Sequence, residues 1–324
     1  MRFFLKASWL IAIITTLYAN VGLAQTYPSK AMRLIVGFPP GGGTDIVSRV
    51  IAQRLSEWYG QAVVVENRSG ATGSIGADAL AKSAPDGYTI MMGHANSHAI
   101  SPNLVAKLPY DPIKDFAPVA YVGYVPNVLS LHPSVPAKNM KELVTLLKAH
   151  PGKYTYASSG NGSSQHLSGE MFRLLTGVNI VHVPYKGSGD GIRDLVAGVV
   201  SMNFDTMPPV LPHLKDGRLR GLGISTPKRL SQLPDVPTFT EEGLTGFEIL
   251  NWYGVMAPAA TPREIVMKLN TDINRAMRES DVRTRLEQVG TQLREMTPEE
   301  FGTFMRAELA KYDKLVKDAN IRLE

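Results

Sequence analysis

The chain has 324 residues, 44% of them hydrophobic, with a formal net charge of +5 and no cysteine. The lack of cysteine excludes disulfides, thiolate nucleophiles and sulfur-rich metal sites, so packing alone must hold the fold. Lysines and arginines are scattered among acids, which argues against nucleic acid as a partner and supports only a mild preference for anionic solutes.

The first 24 residues read as a removable export signal. Arg2 and Lys6 supply the positive start, the stretch from Trp9 to Leu17 is almost wholly apolar, and Gly22-Leu23-Ala24 places small residues before a cut at Gln25. That apolar run is shorter than the ~20 residues of a membrane span, so the mature chain is expected free in solution and monomeric.

From Met32 onward, short β-branched runs alternate with amphipathic stretches, the pattern of parallel strands joined by crossover helices. Strands are predicted at Arg33 to Gly37, Ala62 to Glu66 and Tyr88 to Met92, with helices at Thr44 to Tyr59 and Ser74 to Lys82. A long extended segment, Pro118 to His132, then separates this run from a second one. In the second run, helices are expected near Lys138 to Ala149 and Ser164 to Leu175. Its strands are expected at Tyr154 to Ala157, at Ile180 to Pro184 and up to Asp205. The pattern predicts an α/β protein of two lobes joined by crossover strands. Lobe I would comprise 25–122 plus 248–324, and lobe II 123–247. The returning strand is placed at Phe247 to Met256, with Leu219 to Ile224 as the alternative, which would move the boundary to 224. Thr261-Pro262-Arg263-Glu264 and Thr297-Pro298-Glu299-Glu300 each read as a capped helix start. Behind the second, Phe301, Phe304, Met305, Tyr312, Leu315 and Val316 share one helical face, a core stripe.

The sharpest chemical feature is Gly37-Phe38-Pro39-Pro40-Gly41-Gly42-Gly43-Thr44-Asp45, between a predicted strand and a predicted helix. Its glycines leave backbone amides uncovered at the positive end of a helix dipole, a setting for a carboxylate or phosphate. The lysine of a P-loop and the spacing of a dinucleotide loop are both absent. A plain turn with Thr44 or Asp45 as cap fits the same residues. Ser158 to His166 repeats the arrangement in the second half, so two donor-rich helix starts are expected to face one cleft. His94, Ser97 and His98 follow the third strand, Tyr185 and Gly187 follow a strand of the second lobe, and Asp205 ends another; open α/β sheets place ligands at such strand ends. No G-x-S-x-G elbow and no H-E-x-x-H occurs, so neither an enzyme nor a metal or cofactor site is expected.

These segments resemble the Bug-type extracytoplasmic solute receptors associated with tripartite tricarboxylate transporters. The resemblance spans the mature chain through GFPPGGGTD (37–45), VVVENRSGATGSIGAD (63–78), APDGYTI (84–90), LPYDPIKDFAPV (108–119), YASSGNGSSQHLSGE (156–170), VHVPYKGSG (181–189) and LPDVPTFTEEGL (233–244). It implies a two-lobed flytrap of the second periplasmic-binding type that closes on a small carboxylate in the periplasm and hands it to transporter membrane subunits. A sensing role with a signalling partner is the alternative, and a hydrolase the remote one. By the same resemblance, Phe38, Pro39, Gly41, Gly42, Thr44 and Asp45 of the first loop hold the ligand with Ser159, Gly160, Gly162, Ser163 and His166 of the second. Asp205 would face the ligand's variable end, and His94, Ser97 and His98 would tune selectivity, their imidazoles favouring a second acidic group.

Overall fold

A computed structural model describes residues 27–105, 107–247 and 249–318; the export signal expected over 1–24 lies outside them. The first run consists of β1 (Met32–Val36), α1 (Gly43–Tyr59), β2 (Val63–Asn67), α2 (Ser74–Ala81) and β3 (Thr89–His94). β1 pairs in parallel with both β2 and β3, and Leu34, Ile35 and Val36 are buried because crossover helices cover both faces of such a sheet. A π-helical turn (Asn96–Ile100) and the short α3 (Ser101–Leu104) lead to β4 (Phe116–Leu131). The second run is α4 (Met140–Ala149), β5 (Thr155–Ser158), α5 (Ser164–Thr176), β6 (Val181–Pro184), α6 (Ser188–Val196), β7 (Met202–Thr206), α7 (Met207–Lys215) and β8 (Arg220–Ile224). The chain returns through β9 (Leu250–Pro258) and ends in α8 (Arg263–Arg278), α9 (Ser280–Gln288), β10 (Gln292–Leu293) and α10 (Pro298–Asp318).

The strand order is β2, β1, β3, β9, β4, β7, β5, β6, with β8 and β10 also pairing β4. β4 is the strand that both regions share. Its residues 116–126 run antiparallel to β9, and 127–131 run antiparallel to β7 and β8. Where the pairing changes over, a buried polar chain ties the crossing strands together: Asn251 Nδ2 donates to Asn127 Oδ1 (2.6 Å) and Asn127 Nδ2 to Ser168 Oγ (2.8 Å). Gly123 needs its positive φ of 147°, and a side chain there would run into the Gln292 carbonyl of β10.

One apolar cluster runs beneath the crossing strands from Phe301, Met305 and Trp252 to Phe172, Phe204 and Phe247. Phe301, Met305, Tyr312 and Val316 of the α10 stripe are buried, and Phe304 and Leu315 pack against the cluster. The two cap readings part company. Thr297 Oγ1 accepts the Glu300 amide while Glu300 accepts the Thr297 amide, a reciprocal box. Thr261 caps nothing; Pro262 is the cap residue of α8, and Thr261 Oγ1 is buried without a partner. No helix among the described residues is long and apolar enough to cross a membrane.

Candidate functional site

A narrow chamber lies where the ends of β1, β3 and β7 meet the starts of α1, α5 and α6. Its wall is formed by Phe38, Pro39, Gly42, Gly43, Thr44, His94, Asn96, Ser159, Gln165, Ser188, Thr206 and Tyr253. The space between wall atoms is ≈ 300 Å³, open mouth included, yet the centre of a water-sized sphere can move through only ≈ 10 Å³ of it. The walls therefore stand about one water apart. Wider surface clefts exist, such as the one beside Pro109 and Asp115, but the chamber is walled by two buried side-chain groups without partners, Asn96 Nδ2 and Tyr253 Oη.

The first loop behaves as its glycines suggest. α1 begins on Gly42 with no side-chain cap, and the first amides of a helix have no acceptor inside it. These amides and the positive helix end face the chamber at Gly43 and Thr44. Gly43 must lack a side chain, because a Cβ there would stand 2.6 Å from Tyr253 Oη and 2.9 Å from Thr206 Oγ1. Gly41 and Asp45 are not on the wall. Asp45 instead braces the loop from behind: its Oδ2 accepts from the Gly41 amide (3.0 Å) and Arg49 Nε (2.9 Å), and its Oδ1 from Asn67 Nδ2 (2.9 Å). Burial alone would raise its pKa, but the bonds from Arg49, Asn67 and Gly41 outweigh it and hold the carboxyl below its usual value.

At the end of β3 the three residues divide. His94 is on the wall, its ring 5.2 Å from those of Phe38 and Tyr253. Its Nδ1 accepts the Asn96 amide (2.9 Å), so in the neutral ring Nε2 carries the proton. Burial, with His98 nearby, pushes its pKa down to about 3. Burial thus keeps His94 neutral, so what its imidazole offers an acidic group is an N–H and not a charge. His98 is not at the site. It packs among Tyr110, Phe116 and Trp252, where burial likewise pushes it down to about 3. Ser97 Oγ bonds His98 Nδ1 (2.8 Å) and the His94 carbonyl (3.3 Å), away from the chamber.

The second loop corrects the picture of facing amides, because five of its amides already have acceptors within the protein. Ser158 Oγ accepts from the Gly160 amide, His166 Nδ1 from the Gly162 amide, the Gly160 carbonyl from the Ser163 amide, and Ser163 Oγ from the His166 amide. Asn96 Oδ1 takes the Ser164 amide (2.9 Å). Gly160, Gly162, Ser163 and His166 thus shape the loop without reaching the wall, and His166 stacks on His182 at 4.2 Å. Of the second-loop residues singled out from sequence, Ser159 alone lines the chamber. Tyr185 turns its hydroxyl to Asp194 (2.9 Å), and Gly187 lies against Pro39. Asp205 sits one layer back, its Oδ1 accepting from the Thr206 amide (2.7 Å), Ser188 Oγ (2.8 Å), Gln165 Nε2 (3.2 Å) and Thr206 Oγ1 (3.2 Å). Burial raises its pKa, and these bonds offset the rise in part.

Six wall residues were not assigned to the ligand from sequence: Asn96, Ser188, Thr206 and Tyr253, and Gly43 and Gln165, which lie in the two loops that were singled out. Gln165 and Ser188 stand in the first turns of α5 and α6, and that position could have found them. Tyr253 lies inside the buried strand β9 and carries no local signal.

The model of the tripartite tricarboxylate transporter family receptors matches residues 47–321. Protein BugT of Bordetella pertussis is 38% identical over 321 residues, 97% of this chain and 98% of its own. A solved periplasmic transporter superposes with a TM-score of 0.90 at 42% identity, covering 92% of this chain and all of that one. An R. palustris protein solved with adipate gives 0.88 at 39% identity, covering 91% and 99%. With this fold, this chamber and these relatives, the chain belongs to the tripartite tricarboxylate transporter receptor family and is a two-lobed solute-binding protein of the periplasm, not an enzyme.

Proposed function

We propose that the chain captures a small organic carboxylate between its lobes and presents it to the membrane subunits of a tripartite transporter. One observation carries this reading: an uncapped helix start, Asn96 Nδ2 and Tyr253 Oη all meet in a chamber with no lysine or arginine on its wall. Such a set binds an anion through fixed dipoles, and a closing, water-poor space strengthens each contact. The carboxylate is assigned to the Gly43 and Thr44 amides with Tyr253, His94 and Asn96 around it. Adipate in the R. palustris relative fits this chemistry.

The chain acts as a monomer cut before Gln25. Lobe I takes 25–122 and 248–324, and lobe II takes 123–247, in keeping with the change of β4 partners at Pro126 and Asn127. Thermal-shift screening against mono-, di- and tricarboxylates tests the reading, since a ligand of the folded state raises the midpoint. At least one carboxylate is expected to shift the wild type and leave Gly43→Ala unmoved. A panel without any shift at millimolar concentration, or an equal shift in both proteins, overturns the proposal.

A further inference from the structure

The two walls of the chamber differ in hydrogen-bond polarity. On the lobe I side stand donors: the α1 amides, Asn96 Nδ2, Tyr253 Oη and the protonated Nε2 of His94. On the lobe II side the hydroxyl protons of two wall residues point away from the chamber. A serine or threonine hydroxyl has one proton, and both Ser188 Oγ and Thr206 Oγ1 give theirs to Asp205 Oδ1. Gln165 Nε2 has two, directed at Asp205 Oδ1 (3.2 Å) and Ser159 Oγ (2.9 Å). Ser188 Oγ also accepts from Ser159 Oγ (3.1 Å) and Gln165 Oε1 from Ser164 Oγ (3.2 Å), so Ser188, Thr206 and Gln165 each keep a lone pair for the ligand, with a buried carboxylate behind them. Asp205 is 3% exposed, and all four of its bonds fall on Oδ1.

Building on the carboxylate reading of the site, we infer that the preferred ligand carries a carboxylate at one end and a hydrogen-bond donor, an ammonium or hydroxyl group, at the other. The carboxylate meets the α1 side and the donor meets Ser188 and Thr206. A second carboxylate in that place would face lone pairs and the Asp205 charge, and like charges set against each other without a cation are strongly disfavoured.

The test is isothermal titration with ligands matched in length and differing only at the far group. Succinate is compared with 4-aminobutyrate and 4-hydroxybutyrate, adipate with 6-aminohexanoate and 6-hydroxyhexanoate, and terephthalate with 4-(aminomethyl)benzoate. The titrations run near pH 8, well above the ordinary carboxylate values near 4, so every ligand carboxylate is ionised in solution. In the length series that binds, the amino or hydroxy ligand is expected about tenfold tighter or more than the dianion, and Asp205→Asn is expected to narrow or reverse the gap. A dianion binding as tightly as its partners, or tighter, overturns this inference and leaves the carboxylate site standing. An unchanged gap in folded Asp205→Asn also overturns it, and if that variant fails to fold, the wild-type comparison alone decides. Failure of every ligand to bind overturns both readings.

Discussion

Replacing Gly187 with alanine should weaken ligand binding while leaving the ligand-free protein almost as stable as before. Gly187 has φ 177°, an extended backbone that any residue adopts, so alanine brings no conformational strain. Its Cβ, however, would stand 2.6 Å from Pro39 Cδ and 2.8 Å from Pro39 Cγ. Both atoms belong to a proline ring that cannot rotate away, and under the proposed division the two residues lie on opposite lobes. On that division the clash exists only when the lobes are closed. Overpacking of this kind costs about 1–3 kcal/mol. If the ligand binds the closed form, that cost falls on the closed population and weakens the apparent affinity about 5- to 150-fold. Calorimetric titration reads the change in Kd, and melting without ligand reads stability. An unchanged Kd, or a loss of melting temperature that is the same with and without ligand, would refute the reasoning.

Three further expectations rest on single groups. Tyr253→Phe removes a buried hydroxyl without a partner, so it should keep the melting temperature and lose about tenfold or more in affinity, the worth of a hydrogen bond to a charged group; retained affinity would take Tyr253 out of the site. His98→Leu should lower the melting temperature yet leave Kd within about twofold, because His98 packs among Tyr110, Phe116 and Trp252 and does not line the chamber; a large loss of affinity would contradict that placement. In the fold, burial pushes His94 and His98 down to about 3 and His182 to about 4, from 6.5. The unfolded chain therefore binds more protons below 6.5, and their contribution to stability is whole above that pH and lost as pH falls toward those values. Burial raises Asp205 and Glu308, which act in the opposite direction as pH falls. The histidine effect sets in below about pH 6.5, where melting temperature should drop more steeply in the wild type than in His98→Leu; an equal drop in the two would refute it.

The fold was legible because it rests on periodic burial. Strands and helices fall within a few residues of the alternating and 3.6-residue patterns, and the long extended segment became β4, the shared strand. The α10 start was readable because Thr297 and Glu300 are a self-contained pair, whereas Thr261 shows the same letters without the bond. The first half of the site was equally local: a strand end, a glycine turn and an uncapped helix. The second half was not. Whether Ser158, Ser163 and His166 turn outward to a ligand or inward to their own loop depends on neighbours such as Asn96 and His182, which sit far away in the chain. His94 and His98 posed the same problem, since spacing says nothing of which ring meets a cavity and which meets Trp252. Tyr253 shows the limit most plainly, as its position opposite Gly43 exists only once β9 has paired with β3 and β4.

The most direct measurement is a crystal structure of the purified protein with a carboxylate that shifts its melting temperature. The account predicts carboxylate oxygens within about 2.7–3.2 Å of the Gly43 or Thr44 amides and of Tyr253 Oη, with no lysine or arginine in contact. A carboxylate held by a surface cation, or an α1 start still facing protein groups with the ligand elsewhere, would contradict it.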